Sequence, residues 1–523
     1  MKLFDSVARQ LDPRPRAFKG AESNRFTRSW GGLNVSPNYE LQADLRTLRA
    51  RSRQLARDHA WVAGLLHVLR ANTIGPKGIV LQVRLRNGGR WWDPSAPFDT
   101  AANSQIEGLW RWWCEEPEHV STDGRTAWPE QLWFAEQTRF IDGEFLAFRD
   151  FSAANAFGYA LKNLDADYLD EHYNRAPSPG VNEIRMGVEL DPDQRVVAYH
   201  LWDRHPADLL GGVKVRKRVP AEYILHYFTP HRPNAVRGIP ELSAALLSLR
   251  MQDKYKEAEL VASVVSSAKM GWIRTNDGYI DTNENVEVGA DGQPLTEDRI
   301  EMDAEPGLVS QLPPGWEFQA WDPQHPTSAF EAFTRSILRE MGSSVGMSYA
   351  TSSGDLTAVN YSSIRAGLHT ERDVFRMRGS FLARRFMRPV FLDLMGQCAL
   401  KGLLPVPDAR LEELRRSLSF QTRGWKWVDP LNDAQALQLM IALGVANRSD
   451  AIAELGGDFE ENLQMLEHES TMAGAAGVQI DGVDRQGNAI RPNPRQDGTD
   501  TADAGDNSNS ETAAGRRRAV RLA

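Results

Sequence analysis

The sequence holds only two cysteines, Cys114 and Cys398, among its 523 residues. Two are too few for a disulfide framework, and with no CxxC pair neither redox chemistry nor a thiolate zinc site is expected, so both are read as buried, reduced thiols. Long apolar runs are also missing. The longest weakly charged stretch, around Leu260 to Ala268, falls far short of the roughly 20 residues that span a bilayer, so no membrane partner is expected. Met1 to Arg16 carries Lys2, Asp5, Arg9 and Asp12 and lacks the continuous apolar core of a signal peptide, so the chain is expected to stay where it is made. A basic surplus is missing as well: 61 Lys and Arg face 70 Asp and Glu, for a formal charge of -9. That balance excludes a protein that coats nucleic acid by neutralising its phosphates.

Catalytic signatures are equally scarce. There is no G-x-x-x-x-G-K-[ST] phosphate loop, no H-E-x-x-H and no G-x-S-x-G. His200 with His205 and His226 with His231 miss the i, i+4 spacing that sets two metal ligands on one helical face. The acidic groups Asp165/Asp167/Asp170 and Asp191/Asp193 read as solvated turns, with Mg²⁺ binding in a nuclease as the alternative. Ser352-Ser353-Gly354-Asp355 sets hydroxyls beside an acid with no histidine near in sequence. No catalytic, cofactor-binding or metal residue is assigned, no cofactor is implied, and the chain is expected not to be an enzyme.

What is present is an ordinary soluble composition, 41% hydrophobic and 25% charged, on a chain long enough for two to four packed regions. Leu41, Leu45, Leu48, Leu55, Val62, Leu66 and Leu69 share one helical face. Arg46, Arg49, Arg51, Arg53, Arg57 and Arg70 fill other positions, as a solvated basic side or as a DNA or partner-binding one. Gly75, Pro76 and Gly78 stop this helix before a strand-like Ile79 to Leu85. Trp91, Trp92, Trp110, Trp112, Trp113, Trp128 and Trp133 read as core rings beside Ile106 and Leu109, with a stacking surface as the alternative. Strands are expected at Phe140 to Arg149 and Val196 to Trp202, with turns at Gly143, Pro192 and Asp193.

Long helices are predicted at Pro240 to Ala268 and Ser328 to Val345, the latter with Phe330, Phe333, Ile337, Met341 and Val345 on one face. The turn-rich Asn276 to Gly307 lies between them. A third long helix runs from Tyr361 to about Leu394 and carries Arg365, Arg372, Arg376, Arg378, Arg384, Arg385 and Arg388. A helical region follows over Pro430 to His468. Beyond Thr471 the composition turns to Gly, Ala, Asp, Asn and Thr, as in a disordered tail. The fold class is α+β and predominantly helical.

Six short stretches carry a resemblance. They are Arg51–Asp58 with Asn72–Gly75; Asp142-Gly-Glu144; Arg237-Gly-Ile-Pro240; Glu305-Pro-Gly307 with Leu312–Gly315; Asn360–Gly367; and Trp427–Pro430. In this order and spacing, from about Leu41 to Leu466, the chain resembles the lambda-type family of tailed-bacteriophage portal proteins. The resemblance implies a phage portal fold of wing, stem, clip and crown, assembled as a homo-oligomeric ring of typically twelve subunits at one capsid vertex. It also implies a division of the chain: an N-terminal arm over 1–40, wing 41–238, stem helix 239–268, clip 269–325, stem helix 326–346, tunnel loop 347–360, wing helix and return 361–429, crown 430–470 and tail 471–523. Tyr349, Ser352, Ser353, Gly354, Asp355, Thr357 and Asn360 would then form a mobile loop lining a DNA channel.

The function implied is a conduit for DNA packaging, retention and ejection. It would contact double-stranded DNA without sequence specificity, and it would dock the large terminase subunit, capsid or scaffold proteins and head-completion (connector) proteins. Its place would be the portal vertex of the virion, and the host cytoplasm during assembly. The competing readings are a metal-dependent DNA-processing enzyme of packaging and a carbohydrate-binding tail component.

Overall fold

A computed structural model describes residues 34–476 apart from 77, 88–95, 210–211, 268–270, 276–315, 321–328, 358–360, 405–409, 426–428 and 458. Trp91, Trp92, Trp427, Ala268, Ser328, the stretch Asn276 to Gly307 and the expected tail beyond residue 476 lie outside the described residues.

The chain opens with helices α1 (Pro37–Gln42), α2 (Leu45–Asp58) and α3 (Ala60–Thr73). The single helix expected over Leu41 to Leu69 is therefore interrupted. At His59 the backbone is extended, with ψ 112°, and the buried ring places Nε2 2.9 Å from Gln252 Oε1. A tertiary hydrogen bond thus sits at the break in helical periodicity. Nor are all the arginines of this segment solvated, because Arg49 is only 1% exposed.

After strand β1 (Val80–Val83) come α4 (Thr100–Glu115), capped by the Asp99 carboxylate on Ala102 N, α5 (Pro117–Val120) and α6 (Trp128–Asp142). Gly143 ends α6 in the left-handed region at φ 88°, a conformation that favours glycine. Strand β2 (Glu144–Asp150) follows at once, so residues 140–142 of the expected strand belong to the helix. It is the middle of a three-stranded antiparallel sheet between β3 (Ala160–Leu164) and a later strand. Four short strands intervene, β4 (Glu183–Arg185), β5 (Val188–Leu190), β6 (Val196–Trp202) and β7 (Arg216–Pro220), hydrogen-bonded antiparallel in that order. Strand β8 (Ile224–Phe228) then returns to β2, setting His226 opposite Leu146.

A 3₁₀ turn, Glu241–Ala244, precedes α7 (Leu246–Ser267), so the long α-helix begins at Leu246 rather than at Pro240. Strands β9 (Gly271–Thr275) and β10 (Trp316–Ala320) pair antiparallel. Beyond them lie α8 (Ala329–Ser344), α9 (Tyr349–Ser353) and α10 (Tyr361–Leu382). A π turn, Ala383–Met387, separates α10 from α11 (Arg388–Leu400), at Arg388-Pro389 where the proline lacks an N–H for the helical ladder. Then come α12 (Leu411–Arg416) and β11 (Leu418–Gln421), which pairs antiparallel with β1, Val80 opposite Gln421. Helices α13 (Pro430–Ala442) and α14 (Arg448–Glu454) complete this compact unit, which ends at Gly456. A separate unit contains the 18-residue α15 (Phe459–Ala476).

Three apolar clusters fill the larger unit. One gathers Trp110, Trp113, Trp128, Phe145, Phe386 and Phe391. Trp110 and Trp113 stack at 5.4 Å, and Trp128 stacks on Phe386 at 5.8 Å, so these tryptophans are core rings, as their helical setting predicts. Trp112 is the partial exception at 46% exposure. A second cluster joins α2 and α3 to Leu242, Leu249, Ile337, Met341 and Phe375. The third packs Leu41, Leu45 and Leu146 on Val188, Tyr199 and Ile224.

Candidate functional site

Three of the six short stretches meet at one point. Glu144, wholly buried, accepts from Arg49 Nη2 at 2.8 Å and from Arg237 Nη2 at 2.5 Å, while His226 Nε2 stands 2.9 Å from its other oxygen. Arg237 is also fully buried and donates further to the Met186 carbonyl at 2.9 Å and the Ala166 carbonyl at 3.2 Å. Burial alone would push the Glu144 carboxyl up, but Arg237 and Arg49 outweigh it and hold it well below the usual range. His226, buried beside the same arginines, is pushed down despite its bond to Glu144.

Glycines make this meeting possible. A Cβ on Gly238 would stand 1.9 Å from the Gly143 carbonyl oxygen, and one on Gly143 would stand 2.4 Å from the Ile239 carbonyl carbon. The 142–144 and 237–240 backbones therefore cross with no room for a side chain, and Gly238 N donates to Glu144 Oε2 at 3.3 Å. One step outward, Arg53 donates to Asp142 at 2.7 and 2.8 Å, to Asp167 at 2.6 Å and to Asp165 at 2.8 Å.

Asp165, Asp167 and Asp170, expected as solvated turn residues, are therefore ion-paired, Asp170 with Arg216 at 2.9 Å. Burial would raise the Asp167 carboxyl, yet Arg53 and Arg49 hold it low. Asp191 and Asp193 do sit in a turn, where Asp191 accepts from Arg195 N at 2.7 Å. His205 joins Asp165 and Asp167, with donor atoms within 4.8 Å of one another. Two guanidinium groups already occupy those carboxylates, so the donor set fits an ion pair better than a cation.

A second charged group ties this body to the later helices. Arg139 bridges Glu136 at 2.7 Å and Glu241 at 2.5 Å, Tyr227 Oη donates to Glu136 at 2.9 Å, and Arg378 pairs with Glu241 and with Glu136. It spans α6, β8, the 3₁₀ turn before α7, and α10. The base of α7 and the run of α10 are thereby fixed to the three-stranded sheet.

The segment 347–357 rests on α10. Tyr349, Ser352 and Ser353 lie in α9 rather than in a loop; the Ser348 hydroxyl caps it, accepting from Thr351 N, and Gly354 ends it at φ 72°. Glu371 accepts from Ser348 N and, at 2.5 Å, from the Thr351 hydroxyl. Asp355 accepts from Tyr349 Oη at 2.8 Å and from the Thr357 hydroxyl at 2.6 Å. The Thr357 hydroxyl and N–H, with Tyr349, hold its carboxyl at about 2. Ser352 is buried, and Asn360 lies outside the described residues. Spacing alone misses the helix because it is only five residues long and its acceptor, Glu371, is a tertiary partner; the Ser348 cap is local.

Elsewhere the Asn72–Gly75 stretch meets the strand exit after β11. Asn72 Oδ1 accepts from Arg423 Nη1 at 3.0 Å and from Trp425 Nε1 at 3.3 Å. The stretches at Asp142–Glu144, Arg237–Pro240 and Asn72–Gly75 thus hold segments distant in sequence together.

Residues 23–378 match the phage portal protein, lambda family. The chain belongs to that family. It is 28% identical over 455 residues to a protein of Halomonas phage phiHAP-1 described as a probable portal protein, covering 86% of this chain and 85% of that one. To portal protein B of Escherichia phage lambda it is 20% identical over 493 residues, covering 86% and 88%. Among solved structures it is similar to a chain in the neck of an empty GTA particle, at 14% identity and TM-score 0.40, covering 79% of this chain and 93% of that one.

Portal membership supports the structural reading over the packaging-enzyme alternative. The matched span takes in both charged groups, Glu144 with Arg237 and Glu241 with Arg378, and ends at Arg378 itself.

Proposed function

We propose that the chain is one subunit of a portal ring of twelve copies at a capsid vertex. Double-stranded DNA passes through the ring during packaging, is retained by it and leaves through it at ejection. On this reading 41–238 and 361–429 form the wing, 239–268 and 326–346 the stem helices, 269–325 the clip, 347–360 the tunnel loop and 430–470 the crown. The clip docks the large terminase subunit during packaging and head-completion proteins afterwards, capsid or scaffold proteins hold the ring, and the chain works in the host cytoplasm before it enters the virion. It needs no cofactor and catalyses nothing.

The observation that carries this reading is the family match over 23–378. Physical support comes from the second charged group, which roots α7 and α10 on the sheet, as a subunit that passes load between a channel and a capsid requires. No helix among the described residues is long and apolar enough to cross a membrane. The formal charge of -9 suits a conduit, since an acidic surface repels the duplex it surrounds.

Particle mass tests the reading. Purified full-length chain is expected as a ring many times the 58.6 kDa protomer; a monomer that cleaves DNA with Mg²⁺ would overturn it. For the clip, deletion of Asp277 to Pro306 is expected to abolish terminase docking, and normal packaging by that variant would remove the assignment.

A further inference from the structure

The π turn Ala383–Met387 faces two ways. Phe386 and Met387 enter the aromatic cluster, and Leu382, Phe386 and Val390 recur every four residues on the buried side. Arg384 and Arg385 are exposed, and so is Arg388 at the start of α11. A π turn closes on the fifth residue instead of the fourth, and such turns recur at functional sites. Here two adjacent arginines stand outside while the apolar residues on both sides of them stay in the core.

Two of the three arginines are anchored without being neutralised. Arg384 Nε donates to the Ser380 carbonyl at 3.2 Å, and Arg388 Nη2 donates to the Arg415 carbonyl at 2.8 Å. A carbonyl orients a guanidinium group and leaves its net charge in place. Among the described residues no carboxylate lies within ion-pair distance of Arg384, Arg385 or Arg388. The Arg388 bond also sets the end of α12 beside the turn, where Arg415 and Arg416 reach Glu412 at 3.6 and 3.5 Å. Glu412 therefore engages those two arginines and not the three on the turn.

We propose that Arg384, Arg385 and Arg388 form a binding surface for backbone phosphates of double-stranded DNA. Guanidinium forks match phosphate oxygens in paired hydrogen bonds. The carbonyl anchors order two of the three side chains before any anion arrives, which reduces the entropy lost on binding. On a chain of formal charge -9, three neighbouring cations with no carboxylate of their own give a local attraction for a polyanion that the acidic surplus otherwise repels. Such contacts carry no base information, so the surface grips any sequence. The inference rests on the portal reading for its choice of DNA over an acidic protein surface, and it adds a contact to the proposed tunnel loop.

The test is a salt titration of binding to two labelled duplexes of unrelated sequence. It compares full-length wild-type chain with Arg385→Gln, Arg385→Lys and the double variant Arg384→Gln/Arg385→Gln. Arg57→Gln is the control, because it removes one exposed positive charge that is paired with Asp58 on another surface. Both turn variants to Gln are expected to form rings and to bind the two duplexes more weakly to the same extent. The slope of log K against log salt should fall by about one for each phosphate no longer neutralised, and so by about two in the double variant. Arg385→Lys keeps the charge and recovers most of the slope, and Arg57→Gln keeps the wild-type slope. Unchanged affinity and slope in ring-forming Gln variants overturn the site while leaving the portal reading intact, as does an equal fall in Arg57→Gln. Loss of the ring in Arg385→Gln assigns the turn to an interface between copies and also overturns it. If wild-type chain forms no ring, the ring reading fails, and the same titration on protomers decides the phosphate site separately.

Discussion

The two faces of strand β2 are stabilised in opposite ways. Phe145 and Ala147 enter the aromatic cluster of Trp113, Trp128 and Phe386, which is held by contact and ring geometry. Glu144, next in sequence, points to Arg49, Arg237 and His226 and is held by charge. Apolar packing is non-directional and tolerates a change of shape if volume is kept. A buried carboxylate shared by two guanidinium groups tolerates a change of shape poorly and a change of charge worse, because the ions left behind are desolvated without a partner. The aromatic face supplies stability, and the ionic face fixes which backbones cross and where.

The largest expected effect comes from breaking the ionic face at constant size. Glu144→Gln keeps the volume and removes the charge between Arg49 and Arg237, and it is expected to cost about 3–5 kcal/mol, read as the drop in urea unfolding free energy of the chain. A loss under about 1 kcal/mol would show that the hub is solvated in practice and would erase the contrast. On the aromatic face, Trp113→Phe removes part of a ring and a hydrogen bond from Nε1 to the Tyr159 carbonyl at 3.3 Å. The surrounding rings can relax partly into the gap, so the expected cost is smaller, about 1–2 kcal/mol in the same measurement.

The contrast also explains what was legible in the sequence. The tryptophans of α4 and α6 announce their burial because helical spacing puts Ile106, Trp110 and Trp113 on one face. Strand β6 is marked over its full length by β-formers between turns. The ionic face has no such periodicity. Glu144 and Arg237 are 93 residues apart, and nothing local says that a Glu after Asp-Gly and an Arg before Gly-Ile-Pro meet. Their glycines are the only hint, since adjacent glycines and charges in short stretches suggest close backbone approach. The break at His59 was hidden for the same reason: its cause, Gln252, is 193 residues away. Where the resemblance implies a loop over 347–360, the structure has helix α9 tied to Glu371, and neither was legible in the local sequence.

Acid gives a graded way to sharpen the comparison. His226 has its folded pKa lowered by burial, then by Arg237 and Arg49 against the pull of Glu144, so below about 6.5 the unfolded chain takes up a proton that the folded one resists. Stability therefore falls as pH drops through that region. Glu144 is held low, so its contribution is full above about 4.3 and is lost as pH falls further towards its folded value. Asp142, raised by burial despite Arg53, works the other way and gains as it protonates. Unfolding free energies on the two sides of the ordinary histidine pKa, roughly one unit above and one below it, are expected to differ less in His226→Gln than in wild type, while Trp113→Phe keeps the wild-type difference. Equal pH dependence in all three chains would dissociate the acid response from the ionic face.

The smallest expected effect on stability is at Asp355, where a carboxylate meets hydroxyl donors near the surface instead of guanidinium groups inside. Its carboxyl is held at about 2 by the Thr357 hydroxyl and N–H and by Tyr349. All three donors are local in sequence, so losing them rearranges a turn and leaves no buried ion behind. Asp355→Arg is therefore expected to leave the unfolding midpoint and the ring mass unchanged. If 347–360 lines the channel as proposed, the added positive charge in every subunit would hold passing phosphates, slowing packaging or altering the amount of DNA retained. Ring-competent Asp355→Arg particles that package and retain DNA as wild type does would place this segment away from the channel. A collapse of the ring in the same variant would instead show that the turn after α9 is as tightly specified as the crossing at Glu144, and would remove the distinction between buried and surface charge on which the other predictions rest.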